Sequence, residues 1–131
     1  MSDARNPVGW FEIYVQDVDV AKAFYEATLQ VTLEHLQAPS EGGGPTLEMW
    51  AFPMMENAGG AAGAIVKMEG VPSGPGGTLV YFSCEDCAEE QSRAEGAGGK
   101  VFKPKMGIGE YGFMSLVQDP DGNMIGLHSM K

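Results

Sequence analysis

Glu12, Tyr81 and His128 carry the side chains that proton-transfer chemistry uses: a carboxylate, a phenol and an imidazole. Brought together, Glu12 and His128 suit either of two roles. They can hold a metal ion through one oxygen and one nitrogen, leaving positions for water or substrate. Alternatively they can act as a metal-free general base and its partner, with Tyr81 donating to an oxyanion. The competing role is structural: an inward Glu bonded only to its neighbours, and a half-exposed His near the C-terminal end. One Glu and one His make a thin metal site, so a divalent metal is compatible with these residues without being required by them.

Glu12 lies in Gly9–Gln16, where Phe11, Ile13 and Val15 alternate with Trp10, Glu12 and Tyr14. Successive strand side chains point to opposite faces, so one face meets a core and the other something wetter. Trp10, Tyr14, Trp50 and Met114 are candidates for an apolar wall around an aromatic or acyl group, with ordinary packing as the competing role.

Other motifs carry less. Gly107-Ile108-Gly109-Glu110-Tyr111-Gly112 matches a dinucleotide fingerprint, but that fingerprint needs a helix after it and a strand, Phe113–Gln118, follows. A hairpin connection, or a loop over a cavity mouth, fits it better. Asn57–Gly63 has glycines but lacks the Lys-Ser/Thr of a phosphate loop. Cys84 and Cys87 have redox spacing; Cys84 shares parity with Val80 and Phe82, which makes it a core residue. His35 beside Glu34 reads as a surface residue.

The elements that must position these groups occur twice. Val15-Gln16-Asp17 opens a segment matched sixty-nine positions later, where Asp17 falls on Asp86, Ala21–Glu26 on Glu90–Glu95 and Leu33 on Phe102. Glu12 falls on Tyr81 in the same alignment. Each copy reads strand, acidic turn, helix, strand. Two such units must share a core, since neither could bury its apolar face alone.

In the first copy Asp17 and Asp19 offer N-caps, and Val20, Phe24, Ala27 and Thr28 mark the expected buried stripe of a helix. Strands follow at Val31–Leu36, Thr46–Phe52 and Gly63–Met68, with Glu41–Pro45 a loop. Gly70–Gly77 links the halves. The second copy gives strand Leu79–Cys84, a helix capped by Asp86 and ending at Gly98-Gly99, and strands Lys100–Lys103, Phe113–Gln118 and Met124–Ser129. Asp119–Asn123 is a tight turn. The fold class is α+β: one domain of two β-α-β-β-β modules, about 8–69 and 77–129.

The 131 residues suffice for a real core. Eighteen acids against eight bases give a net charge of −10, which disfavours nucleic acid and anionic membranes as partners. Met1–Pro7 has no apolar signal core and no stretch is long enough to span a bilayer, so the expected location is the cytoplasm.

The strand order, with Phe11–Asp17, Ala21–Glu26, Tyr81-Phe82 before Glu85-Asp86, Gly98–Val101 and Asp119–Leu127, resembles the vicinal-oxygen-chelate superfamily of glyoxalase I, extradiol dioxygenases and bleomycin-resistance proteins. The resemblance covers about residues 8 to 129 and is similar in detail to small bacterial enzymes related to lactoylglutathione lyase. It implies curved sheets around a cavity, a small-molecule ligand and a homodimer. It also implies a divalent metal in catalytic members, but the matched ligand positions are Trp10, Leu79 and Gly126 here, and none is a ligand.

Two residues beyond Trp10 stands Glu12, and two beyond Gly126 stands His128, so both keep the inward parity of the missing ligands. The expectation is that Glu12, His128 and Tyr81 share one cavity. The expected function is a glyoxalase-like lyase or isomerase acting beside a carbonyl. The alternative is a non-catalytic protein that binds or sequesters a small molecule, as the bleomycin-resistance relatives do.

Overall fold

The computed structural model describes residues 6–37, 47–56 and 58–131. The expected loop Glu41–Pro45, residue Thr46 and the first five residues lie outside these. Among the described residues, eight strands and two α-helices follow in the order β1 (Val8–Tyr14), α1 (Val18–Leu29), β2 (Glu34–Leu36), β3 (Leu47–Ala51), β4 (Ala62–Met68), β5 (Thr78–Ser83), α2 (Cys87–Gly96), β6 (Lys100–Gly107), β7 (Phe113–Gln118) and β8 (Met124–Ser129). A short 3₁₀ turn, Gly109–Tyr111, lies between β6 and β7. This is the expected β-α-β-β-β order, twice.

All eight strands form one mixed sheet in the order β2-β3-β4-β1-β5-β8-β7-β6. The first half of the chain supplies one half of the sheet and the second half the other. They join where β1 runs antiparallel to β5, with Phe11 opposite Val80 and Glu12 opposite Leu79. Each half carries one parallel pairing, β1 with β4 and β5 with β8, reached through the rest of its own repeat.

Directly paired residues share a face, so the registers sort the side chains. Phe11, Val80 and Phe82 point to the face that carries the helices. There Phe11 and Tyr25 of α1 both pack on Phe52 at ring separations of 5.6 Å. Gly63 is needed beneath Phe11, because a Cβ there would stand 2.6 Å from the ring's Cγ. Cys84, Cys87, Val117 and Leu127 form the core under α2.

Both helices begin as the acidic turns imply. Asp17 accepts from the Val20 amide at 3.1 Å and Asp86 from the Ala88 amide at 3.0 Å. Losing such a cap costs roughly 1 kcal/mol. The buried stripe of α1 is not the expected one. Val20 and Phe24 are 66% and 58% exposed, and Ala27 and Thr28 are exposed too. Val18 is buried, with Ala21, Lys22 and Tyr25 partly so. The helix packs through Tyr25 and the Lys22 stem, whose ammonium lies 4.9 Å from the Trp50 ring centroid and 3.3 Å from Glu26.

Several boundaries move. β2 begins at Glu34, not Val31, because Glu26 reaches across to accept the Leu33 amide at 2.8 Å. β6 runs through Pro104 to Gly107 with register shifts on both sides of Lys103. Pro104 fits because β6 is an edge strand. Asp119 holds the β7–β8 turn, accepting from the amides of Asp121 and Asn123, each at 2.9 Å.

Candidate active site on the inner face

The face opposite the helices carries Trp10, Glu12 and Tyr14 from β1, Leu79 and Tyr81 from β5, and His128, Met114 and Leu116 by their registers with β5 and with each other. This inner face is partly enclosed. Tyr111, in the β6–β7 connection, donates its hydroxyl to the Gln37 carbonyl at 3.0 Å, just past the end of β2. β2 and β6 are the two edges of the sheet, so this bond ties opposite edges together and the sheet must curl between them.

Glu12 is the chemical centre of this face. Its carboxylate accepts the Trp10 indole N–H at 3.1 Å on one oxygen and the Tyr14 hydroxyl at 2.5 Å on the other. Strand alternation makes this arrangement, since residues two apart share a face. Trp10 and Tyr14 pack in turn on buried Met49, Ala64 and Val66. Burial raises the Glu12 pKa above its usual 4.5, and the two hydrogen bonds only partly oppose that shift. Each carboxylate oxygen keeps a lone pair for a ligand.

Tyr81 pairs with Trp10 and lies diagonal to Glu12. The residue is 8% exposed, yet its hydroxyl makes no hydrogen bond among the described residues. Burial and the neighbouring Glu12 charge both push its pKa upward, so it is a neutral donor. Tyr14 is pushed upward by burial, then by Glu12.

His128 does not join them. It pairs with Ser83, whereas Glu12 pairs with Leu79. Four strand residues separate those positions, roughly 13 Å along β5, and β5 itself lies between β1 and β8. His128 faces the expected side, but its Nε2 lies 2.6 Å from the Tyr111 carbonyl oxygen, an acceptor that calls for a proton on that nitrogen. A shared Glu12–His128 metal site is ruled out by this register.

Trp50 is also on the wrong face. It pairs with Ile65 rather than Val66, and packs against His35 at a ring separation of 5.2 Å. Its indole N–H is bound by Glu48 at 2.9 Å. Trp10, Tyr14 and Met114 are on the inner face as expected. Register adds residues that sequence did not single out: Leu116, Met124 and Lys103. Strand parity would have found Leu116 and Met124, which alternate with core residues.

The cysteines are free and buried. Burial, then the nearby Glu90 charge, pushes the Cys84 thiol up to about 11, which leaves little thiolate. Cys84 and His128 border an open depression of about 510 Å³ with Gly9, Ser83 and Lys131. Glu85 also lines it and Glu12 does not, so the depression gathers no second acid or base around Glu12. No group of three or more His, Cys, Asp or Glu side chains among the described residues is placed to hold a metal ion. No helix among them is long and apolar enough to cross a membrane.

Comparison with known proteins agrees with this architecture. Residues 8–127 match the model of the Glyoxalase/Bleomycin resistance protein/Dioxygenase superfamily. A Mycobacterium bovis protein named "Putative glyoxylase CFP32" is 29% identical over 120 residues, 90% of this chain and 43% of its own. The chain thus spans less than half the length of that relative. Methylmalonyl-CoA epimerase from Mycobacterium tuberculosis superposes with a TM-score of 0.68 at 14% identity, covering 100% of this chain and 93% of the other. A hypothetical protein from Bacillus halodurans C-125 gives 0.68 at 12% identity, covering 95% and 94%. At such identities the structural likeness is one of fold.

Proposed function

The chain belongs to the glyoxalase/bleomycin resistance/dioxygenase superfamily, and within it we propose a small-molecule enzyme that moves a proton on the carbon beside a carbonyl. Glu12 is the general base and Tyr81 the donor to the oxyanion. The observation that carries this reading is their adjacency: a carboxylate of raised pKa beside a buried tyrosine whose hydroxyl has no partner among the described residues. A relative named as a glyoxylase and a neighbour named as an epimerase are consistent with such chemistry.

Glu12 removes the proton, and the electron pair of the C–H bond moves onto the carbonyl oxygen as an enolate. Tyr81 hydrogen-bonds that oxygen where charge develops, the most effective place for a fixed donor. Where the α-carbon carries a hydroxyl, return of the proton from Glu12 to the former carbonyl carbon, with the hydroxyl proton passing to the neighbouring oxygen, completes an isomerisation; loss of a β-substituent from the enolate completes a lyase reaction. Trp10 and Tyr14 fix the carboxylate's orientation, so little rotamer freedom is lost in the transition state.

The donor set does not fit the divalent ion that catalytic relatives use. Trp10, Leu79 and Gly126 stand at the matched positions, and the Tyr81 ring fills the space over Gly126.

The test is exchange of α-hydrogen for deuterium in D₂O, followed by proton NMR, over a panel of 2-oxoaldehydes, 2-oxoacids and acyl thioesters. Exchange that Glu12→Gln abolishes supports the enzyme. Retained binding without exchange in the unaltered protein sinks it in favour of a sequestering protein. Homodimer formation and a cytoplasmic location belong to the same proposal; α1 offers the exposed Val20 and Phe24 as contact surface. Monomers alone in sedimentation across a wide concentration range would defeat the dimer.

A further inference from the structure

One row of paired residues crosses the inner face without a break. Trp10 pairs with Tyr81, Tyr81 with Gly126, Gly126 with Leu116 and Leu116 with Lys103. Because paired residues share a face, Tyr81 and Lys103 point to the same side of the sheet. Three strand spacings separate them, roughly 14 Å. Between them lies an apolar stretch: the Tyr81 ring itself over buried Gly126, then Leu116, with half-exposed Met114 and Met124 at the neighbouring positions of their strands.

The net charge is −10, and the cations Lys22, Arg93 and Lys105 are each taken up by a carboxylate. Lys103 is one of four lysines, with Lys67, Lys100 and Lys131, that make no ion pair among the described residues, and the register places it on the inner face. Its orientation depends on the register shift between Val101 and Lys103, which turns Lys103 inward while Val101 stays with the helix-side core. Lys100 pairs with Gln118 one step along the same strand and adds a second positive charge at this rim.

We propose that the inner face takes a carbonyl compound with an apolar middle and an anionic end, the anion seated at Lys103. This rests on the catalytic reading of Glu12 and Tyr81 and specifies its substrate class. The carbonyl lies between Glu12 and the Tyr81 hydroxyl, the apolar segment passes the Tyr81 ring that covers Gly126 and then Leu116, and the carboxylate, phosphate or sulfonate reaches the lysine rim. The unbranched Met114 and Met124 side chains adapt to chains of varied shape. A lysine on an edge strand also discourages edge-to-edge pairing, and the test separates the two roles.

The experiment is calorimetric titration with two probes: an oxododecanoate with its ketone at the chain end remote from the carboxylate, and the methyl ester of the same compound. The acid should bind about fivefold more tightly than the ester, the scale of one partly exposed charge pair. That preference should shrink with added salt and vanish in Lys103→Gln and Lys103→Glu, with ester affinity unchanged. Glu12→Gln should retain the preference, because binding needs no turnover. Equal affinity for acid and ester, a preference that survives Lys103→Glu, or no binding of either probe overturns the inference. Failure of the catalytic reading shows instead as absent deuterium exchange, whatever these affinities are.

Discussion

The ring of Tyr81 lies directly over Gly126: a Cβ on residue 126 would stand 2.7 Å from the ring's Cγ and 2.5 Å from its Cε2. The two residues are partners across the parallel pairing of β5 and β8. Glycine at 126 is therefore what lets Tyr81 lie flat beside Glu12. A larger residue at 126 would have to push the phenol away from the carboxylate.

Gly126→Ala is accordingly expected to cost about 1–3 kcal/mol of stability, the usual penalty of overpacking, and to lower exchange activity as Tyr81 is displaced. Tyr81→Phe is the control. It keeps the ring and should keep the fold, while losing roughly 10²-fold or more in exchange rate if the hydroxyl serves the oxyanion. Thermal denaturation with parallel exchange assays separates the two effects.

The pH dependence follows from Glu12. As a base it must be ionised, so the exchange rate should rise with pH through a value above 4.5. Tyr81 is shifted upward from 10.0, so no loss of its proton is expected below that. For stability the sign is the opposite. The folded pKa of Glu12 exceeds the unfolded one, so its contribution is fully present below the unfolded pKa and is lost as pH rises through the folded value. Thermal midpoints measured across that range should show this decline in the unaltered protein and less of it in Glu12→Gln.

His128 was legible as an inward residue but its partner was not. Parity sets the face of a strand residue; it says nothing of how far apart two strands place their residues along their length. The pairings with Leu79 and Ser83 send Glu12 and His128 to different parts of the inner face. His128→Ala should therefore leave exchange within a few-fold of the unaltered rate, and a chelator should leave it unchanged. A loss comparable to that of Glu12→Gln would return His128 to the chemistry.

Tyr111 belongs to the closure of the sheet. Its hydroxyl bond to Gln37 spans 74 residues of sequence, and its carbonyl meets His128. Tyr111→Phe should cost about 0.5–1.5 kcal/mol, the net worth of one hydrogen bond, and should speed hydrogen exchange at the β6–β7 connection.

Much of the fold was readable because the chain repeats itself. The offset that sets Asp17 on Asp86 also sets Glu12 on Tyr81, and the structure makes those two neighbours across the β1–β5 join. What could not be read turns on third-dimensional choices. Val20 and Phe24 have core chemistry and helical spacing, yet α1 turns them outward and packs through Val18 and Tyr25. Trp50 differs from Met49 by one residue, and one residue moves a side chain to the other face. Lys103 was hidden by the irregular register of β6, which breaks the alternation that sequence reading relies on.

The central claim is that Glu12 is a desolvated carboxyl poised for proton transfer, and titration of its carboxyl carbon by ¹³C NMR tests it most directly. The account predicts a pKa above 4.5 that rises further in Tyr14→Phe, because the Tyr14 hydrogen bond stabilises the charged form. A value at or below 4.5, or one that falls in Tyr14→Phe, would contradict it.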